Sequence, residues 1–212
     1  MISLDIKINE IKNNLMDKNI KAIRNNKLKK IKYENTKKIE FKDEILIKEY
    51  NYYVRLLKKI KKYINNQENI ITIFDVENKE NKIFYIVITI DIQEINVGIP
   101  IKINIITGDT NYTYMYCTYY ERKENSVLYI NDFTSIKPNK GYGGLLLKKL
   151  DYIISEINKK IRNYNLKEIK IIEGKMLANK NVISEKNLRK LYIKYGFEID
   201  NKNNMKRNVV II

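Results

Sequence analysis

The chain has 212 residues, of which 41 are lysine or arginine and 25 aspartate or glutamate, giving a formal net charge of +16. It holds no histidine and a single cysteine, Cys117, which excludes Ser-His-Asp and Cys-His nucleophiles, nearly all zinc sites and any intrachain disulfide. The length supports one sizeable domain with an elaboration, or two small ones, stable without a metal or cross-link.

The first eight residues alternate apolar and polar (Ile2, Leu4, Ile6, Ile8), which predicts a short strand. Residues 9–31 carry Ile11, Leu15, Ile20 and Ile23 at scattered helical spacing and read as a helix. Over 42–66, Leu46, Tyr50, Tyr53, Leu57, Ile60 and Ile64 step by three and four, which places them on one face of an amphipathic helix. Such a stripe is a packing surface rather than a ligand site. Asn65, Asn66 and Gln67 end it, and the hydrophobic period changes to two. Runs at 69–76, 83–95, 98–107, 112–122 and 127–136, separated by polar turns, predict an antiparallel meander. The longest apolar run, Ile83–Ile90, has the length of a strand and is far too short to span a bilayer. Cys117 sits in an alternating Tyr-rich run and reads as a small buried side chain. With no apolar leader and no disulfide, the expectation is a soluble cytoplasmic protein without membrane contact.

A glycine turn follows at Gly141, Gly143 and Gly144. Beyond it, Leu146, Leu150, Ile153, Ile157 and Ile161 predict a helix over about 143–163, and residues 167–176 predict a strand. Ser184 is a candidate N-cap for a helix whose apolar face is Leu188, Leu191, Tyr192 and Tyr195. Gly196 closes that helix in the left-handed conformation, and 197–212 read as a closing hairpin. The pattern describes an α+β chain with a helical region over 1–66, either part of the same domain or appended to it, and a core over 67–212.

Charge is uneven along this order. Residues 1–70 carry a net +9, residues 71–136 a net −4, and residues 137–212 a net +11. The most basic third therefore contains the glycine turn, and its field attracts a polyanion. Only 6 of the basic residues are arginine, the better fork for phosphates and bases, so the charge is no strong argument for nucleic acid. Strand, glycine-rich turn and helix start together form a common phosphate cradle. Glycines let the backbone approach a ligand, and the first N–H groups of the helix point at it.

Two motifs give this stretch more specificity. The first is Pro138-Asn139-Lys140-Gly141-Tyr142-Gly143, followed by Gly144 and three leucines. The second, about fifty residues on, is Tyr192-Ile193-Lys194-Tyr195-Gly196-Phe197 at a helix end. In this order the chain from about 127 to 200 resembles the GNAT N-acetyltransferase superfamily, which begins its helix after Q/R-x-x-G-x-G/A. Pro138 occupies the Gln/Arg position, a departure that leaves Asn139 and Lys140 to supply the side-chain contacts of the loop.

The resemblance implies a central, mostly antiparallel twisted sheet flanked by helices, with acetyl-CoA as co-substrate and no metal. It implies that the coenzyme pyrophosphate lies on the N–H groups of Lys140, Gly141, Tyr142, Gly143 and Gly144. The pantetheine arm pairs with backbone at Thr134, Ser135 and Ile136, and Asn187 is a further cofactor contact. Transfer to an amine is direct, with no covalent enzyme intermediate. Tyr192 protonates the leaving thiolate. Asp132, or alternatively Glu173, serves as general base where burial raises its pKa. The acceptor amine is open between a small molecule, a protein and an RNA-linked group, and the protein is a monomer or homodimer. A reading of a different class competes: a non-catalytic basic module of the same fold that binds RNA or another acidic partner, marked by steep salt dependence.

Overall fold

The computed structural model describes residues 51–62 (residue 53 excepted), 70–77, 83–92, 98–108, 112–135, 141–179 and 182–210. The chain divides into two compact units, Met1–Tyr63 and Ile64–Ile212. The expected strand at 1–8, the helix at 9–31 and the start of the helix at 42–66 lie outside the described residues.

In the first unit the described residues between 51 and 62 are helical. The buried stripe is Tyr52, Leu56 and Ile60, whereas the spacing favoured Tyr53, Leu57 and Ile60, and Leu57 is only half-buried. Neighbouring residues differ by about 100° around a helix. This sequence offers apolar side chains on two adjacent stripes that share Ile60, and periodicity alone does not choose between them.

Among the described residues the second unit holds eight strands. These are β1 (Ile70–Glu77), β2 (Ile83–Ile90), β3 (Ile99–Ile106), β4 (Tyr112–Glu121), β5 (Ser126–Ser135), β6 (Ile169–Lys175), β7 (Glu198–Ile199) and β8 (Asn204–Asn208). Their order across the sheet is β1-β2-β3-β4-β5-β6-β8-β7. Every pairing is antiparallel except β5 with β6. The first five strands are the predicted meander. β2 stops at Ile90, short of the expected 95, and β8 stops at Asn208, short of 212.

The parallel β5–β6 step needs a crossover, and two helices supply it: α1 (Tyr142–Lys148) and α2 (Leu150–Ile161). Lys149 divides them only nominally. Its N–H donates to Leu145 O at 3.0 Å, and its carbonyl accepts from Ile153 N–H at 2.9 Å, so the helical ladder runs through. A third helix, α3 (Glu185–Lys194), begins at Ser184, whose hydroxyl accepts the Asn187 N–H at 3.4 Å. It ends in a Schellman motif: Phe197 N–H reaches Tyr192 O at 3.1 Å and Gly196 N–H reaches Ile193 O at 2.9 Å, with Gly196 at φ +83°.

One face of the sheet carries the main core cluster, while Tyr85 and Val87 of β2 are buried on the other. Ile101, Ile103 and Ile105 of β3, Met115 and Cys117 of β4, and Leu128 and Ile130 of β5 are buried with Leu146, Leu147, Leu150, Ile153, Ile154 and Ile157 of the crossover helices. Polar ties fix α2 to the sheet. Asn158 exchanges two hydrogen bonds with the backbone of Ile169, at 3.2 and 2.8 Å. Asp151 forms an ion pair with Arg207 of β8 and accepts the Val210 N–H at 3.2 Å. The architecture is thus α+β with a mostly antiparallel sheet. Among the described residues no helix is long and apolar enough to cross a membrane.

Candidate functional site

The feature that opens a site is an interruption in β5. On its β4 side the strand stays paired through Ser135, but with one extra residue: Tyr116 faces Asp132 and Cys117 faces Ile130, leaving Asn131 as a bulge. Bulges bend a strand and increase its twist. On its β6 side the parallel ladder runs from Ser126↔Ile169 to Ile130↔Gly174 and goes no further. β6 itself ends one residue later, at Lys175, so β5 beyond the bulge has no ladder partner on that side. The ladder ends at Gly174, which leaves no room for a side chain. A Cβ there would stand 3.0 Å from the Ile130 carbonyl oxygen and 2.5 Å from Met205 Cε.

Three elements converge on the gap beyond this end through one side chain, Phe133. It lies on the core face, opposite Met115. Its ring centroid is 6.5 Å from that of Tyr192 on α3, and a Cβ built on Gly143 of α1 would sit 3.4 Å from its Cζ. Tyr192 in turn packs edge-on against Phe197 at 5.3 Å, and is 4% exposed. Burial pushes the Tyr192 phenol pKa well up, and the nearby Cys117 and Asp132 add to the effect. The phenol is therefore held in its protonated, donor form. Cys117 itself is fully buried, and burial alone pushes its thiol up, so it is no nucleophile.

The start of α1 borders the same gap. Gly141 precedes it at φ +83°, a left-handed turn that favours glycine. The first intrahelical bond is Leu145 N–H to Gly141 O at 2.9 Å, so the N–H groups of Gly143 and Gly144 have no acceptor within the helix. Tyr195 stands over this turn, its Oη 2.9 Å from where a Gly144 Cβ would be. Lys194 places its ammonium 5.8 Å from the Tyr195 ring centroid.

The predicted site residues fall as follows. Tyr192, Gly143, Gly144, Thr134 and Asp132 belong to the elements that meet here. Tyr142 packs edge-on against Phe84 at 5.9 Å. Ser135 bonds through its hydroxyl to Thr113 at 2.9 Å. Ile136, Asn139 and Lys140 lie outside the described residues. Asn187 is exposed on the first turn of α3, its N–H used by the Ser184 cap. Asp132 is solvent-exposed rather than buried. It accepts hydrogen bonds from Tyr114 Oη at 2.9 Å and Thr134 Oγ1 at 3.3 Å. Glu173 is held by both guanidinium nitrogens of Arg122, at 3.3 and 2.9 Å. It lines a depression of about 580 Å³ with Tyr129, Gly174, Glu198, Asp200, Asn204 and Lys206. Sequence reasoning missed Phe133, whose role depends on a bulge that the composition does not mark.

Among the described residues no group of three or more His, Cys, Asp or Glu is placed to hold a metal ion. Comparison with protein-family models, with curated proteins and with solved structures finds no match.

Proposed function

We propose that the 64–212 unit is an acetyl-CoA-dependent N-acetyltransferase of the kind its sequence resembles. The observation that carries this reading is the convergence at Phe133. A parallel ladder that ends at Gly174, a glycine-bearing helix start and a buried protonated tyrosine lie against one side chain. An open strand edge suits the amides of a pantetheine arm, and the helix start suits its pyrophosphate.

In this mechanism the amine lone pair attacks the thioester carbonyl carbon. The C–N bond forms as the C–S bond breaks, and the departing thiolate takes the Tyr192 proton. The proton released by the new ammonium passes to Asp132 directly or through water. Proton donation of this kind contributes about 10²–10⁴-fold. The acceptor is an amine of a small molecule, a protein or an RNA, and the setting is the reducing cytoplasm, which suits a chain with one thiol.

Calorimetric titration with acetyl-CoA, at low and moderate salt, tests the reading. Saturable one-to-one binding at both is expected, and it is lost in Gly143→Val. No binding by folded protein overturns the enzyme reading. RNA affinity falling steeply with salt would then favour the basic binding module.

A further inference from the structure

The sheet face opposite the main core cluster is hollowed where the β5–β6 ladder ends. Leu128, Ile130, Ile172 and Met205 belong to the core, so Tyr129, Glu173 and Lys206 beside them point to the other side. The pairs Tyr129↔Glu173, Glu173↔Lys206 and Lys206↔Glu198 set these side chains in one row across β5, β6, β8 and β7. With Gly174, Asp200 and Asn204 they line a depression of about 580 Å³, within the range of small-molecule sites. Gly174 is also the last residue of the ladder, so the depression meets the gap proposed for the thioester. Asp132 pairs with Tyr116, which lies between the core residues Met115 and Cys117, so its carboxylate is on this face too.

The lining runs against the charge of the chain. The protein carries +16 overall, yet three carboxylates and one ammonium border this hollow. Arg122 offsets Glu173 through its fork. Asp200 accepts the backbone N–H groups of Lys202 and Asn204 and the Asn204 amide, bonds that hold its carboxyl below the ordinary range. Glu198, at the far end of the row, makes no ion pair among the described residues. On a flat surface such carboxylates would be a solvated face. Here they border a hollow that opens at the proposed point of reaction.

The geometry points to this depression as the acceptor site, and to a linear diamine as the acceptor, its second ammonium held by Glu198 and Asp200. The inference rests on the acetyltransferase reading. One amine reaches the thioester beside Gly174. The other lies two strand spacings away, from β6 across β8 to β7, on the order of 10 Å. Lys206 stands between them in the row and repels a charge placed midway, so the site favours a long diamine over a short one.

The test compares heptamethylenediamine with heptylamine, which has the same chain and one amine. Trimethylenediamine and propylamine form the short pair. Binding to the CoA-saturated protein is measured by calorimetry at low salt, in wild type and in the Glu198→Gln and Lys206→Met variants. Wild type is expected to favour the long diamine over heptylamine by about threefold or more, the scale of one or two exposed charge pairs, with the excess falling as salt rises. The short pair shows no such preference. Glu198→Gln brings the long-pair ratio toward one and Lys206→Met raises it, opposite signs that a loss of structure does not produce. Both side chains are exposed, so folding and CoA binding are expected to hold. Equal affinities for the long pair in wild type, the same preference in the short pair, no binding of any amine, a ratio that Glu198→Gln leaves in place, or one that Lys206→Met lowers overturns the inference and leaves the cofactor reading standing. Failure to bind CoA removes both.

Discussion

Replacing Gly174 by alanine tests whether close approach of β5 and β6 sets the point at which their ladder ends. The new methyl would meet three atoms. Met205 Cε, at 2.5 Å, is the end of a flexible side chain and moves at little cost. Ile130 Cβ at 3.3 Å and Ile130 O at 3.0 Å belong to the paired strand, and the oxygen is backbone. Relief requires the strands to separate by a few tenths of an ångström at their last ladder pair. Overpacking of this kind costs about 1–3 kcal/mol. Gly174 is not at positive φ, so alanine also recovers about 0.4–1 kcal/mol from the unfolded chain. The net loss is then between roughly 0 and 2.6 kcal/mol. At about 2–4 °C per kcal/mol for a domain of this size, the expected fall in Tm is between about 0 and 10 °C. Gly143→Ala is the contrasting control. Its Cβ would meet Phe133 Cζ at 3.4 Å, an ordinary contact, and alanine gains up to about 1 kcal/mol in a helix, so its Tm should hold or rise. Scanning calorimetry on the two variants decides the matter. A Gly174→Ala protein melting above wild type refutes the argument.

Tyr192→Phe should lower turnover by about 10²–10⁴-fold with the acetyl-CoA Kd nearly unchanged, read by free-thiol release and calorimetry; an unchanged rate removes Tyr192 from the chemistry. Burial holds the folded-state pKa of Cys117 above its unfolded value, so its stabilising effect is complete below about pH 8.5 and is lost as pH rises beyond that. Urea midpoints measured from pH 7 to 10 should therefore fall on the alkaline side, and less steeply in Cys117→Ala. Asp151→Asn leaves the largely buried Arg207 without its counter-ion; chemical denaturation should show a loss approaching the roughly 3–5 kcal/mol of a fully buried pair. An exposed control such as Lys167→Gln, which breaks a pair with Glu121 whose side chains are 53% and 39% exposed, should cost less than about 1 kcal/mol.

The meander was legible because each strand alternates and each turn is polar, two signals that do not depend on distant contacts. The ends of α3 were legible for the same reason, since Ser184 and Gly196 act on their own helix. The end of the β5–β6 ladder was not. Asn131 is compositionally unremarkable, and only its pairing shows it to be an extra residue. A glycine inside a strand does hint at close approach, and Gly174 carried that hint. Phe133 looked like one more aromatic in an alternating run. Its contact with Gly143 and Tyr192 joins residues that are far apart in sequence, and no local pattern encodes that. Asp132 was picked as a carboxylate on the right strand, but its exposure follows from the bulge and so was out of reach.

The slot between β5 and β6 is also a hazard. A sheet edge normally lies at the perimeter, where short length, charge or a covering segment guards against recruitment of a foreign strand. Here an edge opens in the interior of the sheet, between Ile130 and the end of β5. Its shortness is one safeguard, and the exposed carboxylate of Asp132 beside it is another. On the acetyltransferase reading, a pantetheine arm seated in the slot would complete the protection. Material purified empty should therefore self-associate more readily than the same protein with the slot filled, and a ligand found for it would serve as a solubilising additive before it served as a substrate.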